Sequence, residues 1–392
     1  MPPAEPNRSR REANPEGRGR RQTDLDVLLV AYAPERGAIA EIFSTMARDL
    51  SQVAQVAVLA PDGLTIDADA LVADIRFPYS SRRPYQAIVG RGWRAHRRAA
   101  SLHPRVVLLF TQHPLNIVAA TLLGRRKVAM WWHEPLGRGQ VNTWKGLVYR
   151  IHDALIAPRC ATILVAAPSV KSNVPTRYQG KTVVVPFATM PEFASQSGRF
   201  ANAPSDVLFF GKLAPYKGLD VLARALVRLR RDGSQPQVRL IGAGSLEQAS
   251  PEMAAFRAKH PTQVVHVDEY ASPADIASAL VSTRVLVLPY LSAAGSSTIA
   301  IAGLHGSAIV ASRCGCFDDF LTDGESALLV DPADDLELSE ALLRLLTDES
   351  LQHHISSGLH AMTESTFDPG RVAAQLLDVL GITPTSSREP EA

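Results

Sequence analysis

Three cysteines in 392 residues, Cys160, Cys314 and Cys316, are too few for a disulfide framework and fit a reducing compartment. Cys314 and Cys316 stand too close to bridge readily, and no histidine cluster beside them points to zinc. No G-x-x-x-x-G-K-[S/T] occurs, which excludes a P-loop. The N-terminus has no apolar core of the kind a secretory signal needs. Residues 1–23 are rich in Arg, Pro and Gly and read as a disordered basic tail, and 383–392 read as a second tail. No repeat of 20–50 residues is apparent.

Charge is missing from one long run. Between Val285 and Ser312 there is no Asp, Glu, Lys or Arg. The run is long enough to span a bilayer. It also holds Pro289, Gly295, Gly303, Gly306, several serines and His305, with β-branched stretches at each end. Strand, glycine-rich turn, helix, strand is the better reading.

What is present is ordinary in bulk, 46% hydrophobic and 20% charged, but unevenly charged along the chain. Residues 24–190 hold 20 Lys and Arg against 11 Asp and Glu, and residues 191–392 hold 15 against 25. A basic first half suggests an anionic partner for that half.

The hydrophobic pattern predicts an α/β fold. "DVLLVAY" is a buried strand, "AIAEIFSTMARDL" has helical spacing, and "VAQVAVLAP" is a second strand. "VVLLFTQ", "KVAMWWHEP", "TILVAAP" and "TVVVPF" continue the series. A polar stretch at 191–206 reads as a linker. The pattern then restarts through "VLFFGKL", "QVRLIGAG", "VVHVDEY", "VLVLPY", "SAIVAS" and "ALLVDP", with helices between, one of them near 246–259. Two doubly wound domains in tandem are expected, at 24–190 and 207–365, with a C-terminal helix at 366–382 packing back on the first domain.

Ligands of open α/β sheets sit beyond the carboxyl ends of the strands. In the second half those ends are "GKLAPYKG", "GAGS", "DEYASP" and "PYLSAAGSST", all entering helices. Glycine-rich loops at helix starts present amide groups to phosphate. Lys212 and Lys217 lie in the first loop. A cationic pair beside such loops points to a diphosphate-bearing ligand.

These segments resemble the retaining glycosyltransferases of family 4, which have the GT-B fold. The resemblance rests on "VLFFGKLAPYKGLDVLARAL", "VRLIGAGSLE" and "VLVLPYLSAAGSSTIAIAGLHGSAIVASRCGCFDDFLTDGESALLVDPAD". It implies a sugar moved from a nucleotide-diphosphate donor to a glycan or lipid-linked acceptor, in cell-envelope or exopolysaccharide biosynthesis. It also implies no cofactor and no metal, because cations stabilise the departing diphosphate. Lys212 and Lys217 take the places of the family's Arg and Lys in G-R-L-x-x-x-K-G, and Lys for Arg loses the bidentate fork. His133 matches the histidine that orients the donor sugar. Gly37, Gly211, Glu269 and Tyr270 fall at donor-contacting positions, the last two where relatives grip the base.

The family's paired glutamates, eight residues apart, fall here on Ala293 and Ile301. The segment resembles a branch with a Ser/Gly-rich loop, in which Gly295, Ser296, Ser297 and Thr298 would hold the diphosphate. Loss of both acids leaves open a catalytically silent binding subunit, and the same two-domain fold leaves open a nucleotide-sugar epimerase. Asp67-Ala68-Asp69 has the spacing of a metal motif but lies in a polar loop of the first half, and reads as surface.

Arg91, Arg94 and Arg98 recur at helical spacing beside Trp93. A basic helix with an aromatic suggests an anionic membrane surface, so a cytoplasmic protein, peripheral on the inner face of the membrane, is expected. No nucleic-acid motif accompanies the charge.

Overall fold

The computed structural model describes residues 25–33, 37–80, 82–122, 127–133, 144–295 and 297–384. The tail expected at 1–23, most of the one expected at 383–392, and Ser296 lie outside the described residues.

The first half folds as β1 (Val27–Val30), α1 (Ala38–Val53), β2 (Val56–Pro61), β3 (Ala73–Phe77), α2 (Arg91–Ser101), β4 (Val106–Leu109), α3 (Asn116–Leu122), β5 (Lys127–Trp131), α4 (Trp144–Ile156), β6 (Thr162–Val165), α5 (Pro168–Ser172), α6 (Thr176–Gln179) and β7 (Thr182–Val184). The seven strands form one sheet in the order β3-β2-β1-β4-β5-β6-β7, and every pairing is parallel. Val27 pairs with Val56 on one side and Val106 on the other. Strand β1 is therefore central in the sheet, and all four of its residues are buried, so both of its faces are covered. That is why it reads as continuous apolar sequence rather than as an alternation.

The second half comprises β8 (Ser205–Phe210), α7 (Leu219–Arg231), β9 (Val238–Ile241), α8 (Leu246–Ala249), α9 (Pro251–Lys259), β10 (Val264–Val267), α10 (Pro273–Val281), β11 (Thr283–Leu288), α11 (Ser297–Leu304), β12 (Ala308–Ser312), α12 (Cys316–Phe320), β13 (Leu328–Val330), α13 (Asp335–Thr347), α14 (Glu349–Thr366) and α15 (Pro369–Leu380). Its six strands are ordered β10-β9-β8-β11-β12-β13, again parallel throughout. Both sheets reverse strand order at their first strand. Each reversal opens a crevice at the carboxyl edge, and the two crevices face each other.

Two details differ from the sequence reading, and a third agrees with it. Strand β3 went unrecognised, because "ADIRF" is an edge strand whose charged Asp74 and Arg76 break its apolar run. The helix expected near 246–259 is two helices. Ser250 caps the second through a 3.1 Å bond from the Met253 amide, and Pro251 follows it at the first helical position. The uncharged run from Val285 is the end of β11, a loop, α11 and β12. Among the described residues no helix is long and apolar enough to cross a membrane.

After α14 the chain returns to the first domain. The Thr189 amide donates to Phe367 O at 2.8 Å, tying the two crossing segments together. Helix α15 then packs on α1, with Val372, Ala373 and Leu376 facing Ile42, Met46 and Leu50. Asp368 caps α15 by accepting from the Arg371 amide, 2.8 Å.

Candidate active site

The two carboxyl edges enclose a cleft of about 830 Å³. From the first domain, Gly37, Glu41 and His133 line it, with Ala166 and Phe187. From the second come Gly211, Lys212, Lys217, Glu269 and Tyr270. The loop and start of α11 add Gly295, Ser297 and Thr298. Every site residue named from sequence that is among the described residues therefore borders one space.

Lys217 sits in the short turn Pro215–Lys217, just before α7, and is buried. Its Nζ donates a 2.8 Å hydrogen bond to the Tyr290 hydroxyl and lies over the Tyr290 and Phe209 rings, 4.7 and 5.7 Å from their centroids. A buried ammonium needs such company or an anion. Two glycines make room for it. Gly211 has φ +117°, and a Cβ there would stand 2.8 Å from Lys217 Nζ. Gly218 has φ +68°, and its Cβ would meet the Pro289 carbonyl oxygen at 1.7 Å. Neither position takes a larger residue without displacing the lysine or the strand end behind it. Lys212 is exposed on the cleft wall.

Helix α11 starts at the same floor. Its first-turn amides carry the positive end of the helix dipole toward the cleft. The turn "GAGS" contributes less than its glycines suggest. The Gly244 amide is taken by Asp268 Oδ1 at 2.9 Å, and the Gly242 amide by Val267 O at 3.0 Å.

His133 follows the end of β5 on the opposite wall. Its ring lies against Phe110, Trp131 and Phe187. Burial pulls its pKa down to about 4, so the ring is neutral near pH 7. Nε2 stands 2.7 Å from Phe110 O. A carbonyl only accepts, so Nε2 carries the proton and Nδ1 presents a lone pair.

Glu269 and Tyr270 are differently engaged. The Glu269 carboxylate pairs with Arg199, which also reaches Asp275 at 3.4 Å, and its amide donates to Val267 O at 3.0 Å. Tyr270 spans the cleft and donates its hydroxyl proton to the Glu41 carboxylate of α1. Burial raises the Glu41 pKa, and burial together with this bond raises that of Tyr270.

Ala293 and Ile301 occupy the acid positions, both buried and both on the cleft wall. Asp67 and Asp69 are exposed in a first-domain loop away from this site. On α2, Arg94 and Arg98 are exposed, and Arg91 pairs with Asp62 at 2.7 Å. Among the cleft residues the sequence reading did not name are Tyr290 and Glu41. The one signal for Tyr290 was an aromatic directly after a strand end; Glu41 lies on an ordinary amphipathic helix and gave none.

Residues 204–348 match the family described as glycosyl transferases group 1. The MMP alpha-(1->4)-mannosyltransferase of Mycolicibacterium hassiacum is 29% identical over 261 residues, 64% of this chain and 60% of that protein. The phosphatidyl-myo-inositol mannosyltransferase of Mycobacterium leprae is 28% identical over 196 residues, 49% of this chain and 50% of that one. The chain thus spans between half and three fifths of the length of these curated relatives. Among solved structures, Anabaena HepE in complex with UDP and glucose superposes with a TM-score of 0.72 at 15% identity, over 91% of this chain and 99% of that one. Sucrose-phosphate synthase from Thermosynechococcus elongatus gives 0.71 at 14% identity, over 91% and 98%. The chain has the GT-B fold, and its second domain carries the match to the glycosyl transferases group 1 family.

Proposed function

We propose that the protein transfers a sugar from a nucleotide-diphosphate sugar to a glycan or lipid-linked acceptor, with retention of configuration, in cell-envelope biosynthesis. The observation that carries this reading is Lys217, a buried cation on the cleft floor beside the start of α11. Negative charge grows on the diphosphate as the glycosidic bond breaks. Lys217, Lys212 and the α11 amides would stabilise it, a fixed electrostatic device that needs no reorganisation at the moment of reaction. His133 Nδ1 would accept a hydrogen bond from a sugar hydroxyl and hold the ring in place. No side chain of the cleft is assigned as a covalent nucleophile, and no metal or cofactor is invoked. The relatives' printed names, mannosyltransferases among them, and the UDP and glucose held by HepE support the reaction class.

The test is calorimetry with UDP, GDP and dTDP, followed by turnover of the matching sugar donor. Binding of one nucleotide and release of its sugar are expected. Ala293 and Ile301 favour one other reading, a binding subunit without turnover, because neither supplies the carboxylate that grips sugar or ribose in the resembled family. Tight nucleotide binding with no turnover in any acceptor mixture would select that reading, and no binding at all would sink both.

A further inference from the structure

The cleft changes character one turn into α11. Ser297 and Thr298 begin the helix at the cleft floor, and Ile301 is the next residue of that helix to face the cleft. Four residues of helix advance about 6 Å. Phe193 lines the cleft on the same side. Its carbonyl accepts a 2.9 Å hydrogen bond from His305 Nε2, and His305 stands one turn beyond Ile301 on the same helix face. Helix α10 packs on the turn Pro191–Phe193 and brings Ile276 to the cleft. Ile301, Phe193 and Ile276 are all buried. They make one apolar wall, contributed by α11, by the segment joining the domains and by α10.

No carboxylate belongs to this wall. Among the described residues two line the cleft, Glu41 and Glu269, and both are engaged. Tyr270 donates to the first and Arg199 pairs with the second. A nucleotide sugar carries a ring at each end of its diphosphate. With the diphosphate at Lys217 and the start of α11, the transferred sugar lies toward His133 on the first-domain wall. The other ring is the pentose, one methylene away from its phosphate, a reach of the same order as one helical turn. The apolar wall is the second-domain surface left to receive it. A pentose hydroxyl turned to this wall gives up water and meets no acceptor, whereas a methylene packs on it. The 2′-carbon is the position that nucleotides carry with or without a hydroxyl.

We propose that the donor site selects a 2′-deoxyribonucleoside diphosphate, with the 2′-carbon of the pentose against Ile301. The inference rests on the transferase reading and names the class of nucleotide that this reading leaves open. Selection is by exclusion: the wall offers the deoxy ring a close fit and charges the ribo ring for an unmatched hydroxyl.

Calorimetry on the full chain compares UDP with dUDP, GDP with dGDP, and 5-methyl-UDP with dTDP. The members of each pair differ by one hydroxyl, so base and diphosphate contacts cancel. For whichever base binds, the deoxy form is expected to bind about tenfold more tightly. Ile301→Gln places an amide where the hydroxyl would lie, and the preference should shrink or reverse. Ile301→Val keeps the wall apolar and should keep the preference, which separates the chemistry of the wall from any loss of packing in α11. Equal affinity within a pair, or tighter binding of the ribonucleotide, overturns the proposal and leaves the donor reading standing. A deoxy preference that Ile301→Gln leaves untouched overturns it as well. No binding of any of these nucleotides sinks the donor reading and this inference with it.

Discussion

Lys217 and Tyr290 meet at the cleft floor, ammonium nitrogen to phenol oxygen at 2.8 Å, although 73 residues separate them in the chain. The strand end after β11 thereby holds the cation that enters from the loop after β8. A lysine on a flexible four-carbon stem gains a fixed position from this contact.

Lys217→Ala removes the buried cation and is expected to lower turnover of a confirmed donor by about 100- to 1,000-fold. Tyr290→Phe leaves the cation but loosens it, with an expected loss of about tenfold in kcat. Steady-state kinetics on both variants, with melting temperature as the control for folding, decides it. Full activity of Lys217→Ala would end the assignment.

Gly211→Ala strains the chain at φ +117° and drives a methyl to 2.8 Å from Lys217 Nζ. A cost of about 1–3 kcal/mol in stability is expected from the backbone. Turnover should fall further than stability explains, because the lysine must move as well. Denaturant unfolding and kinetics on the same preparation separate the two effects.

Acid should unfold the first domain. Burial pulls His133 down to about 4, and burial with the neighbouring His152 pulls His113 to about the same value. In the unfolded chain both rings take up a proton near pH 6.5. Between pH 6.5 and 4 the unfolded state therefore binds more protons, and stability falls as pH falls through that window. Melting temperatures from pH 7.5 down to 4 should trace this loss, and His113→Asn should flatten it. A variant with an unchanged slope would show that other groups set the acid limit.

Glu41 and Tyr270 bind each other across the cleft, one from each domain. Tyr270→Phe or Glu41→Gln should let the unliganded domains swing apart, raising the radius of gyration measured by small-angle scattering. Identical profiles for wild type and both variants would mean that the bond does not hold the domains.

The fold was legible because parallel strands covered on both faces must be apolar throughout, as "VLLV" and "VLFF" are. It was illegible where that condition failed. Strand β3 lies at the sheet edge and carries Asp74 and Arg76, so its sequence resembles a loop. The cleft residues were legible at strand ends, where glycine and lysine stand out against apolar runs. Glu41 was not, because its role depends on Tyr270, 229 residues away and in the other domain. The partner of Glu269 was not legible either, because its carboxylate is held by Arg199 from the segment joining the domains, 70 residues away.

The return of α15 to α1 gives the domains two covalent bridges rather than one. Those bridges run side by side, stapled by the bond from Thr189 to Phe367. Paired like this they act as the two pins of a door hinge: they permit one swing and resist any screw or slide. The wall bearing His133 would therefore meet the floor bearing Lys217 along the same arc each time the cleft shuts. Cutting the chain between α14 and α15 would leave both domains folded and remove one pin, turning a single repeatable closure into a wobble.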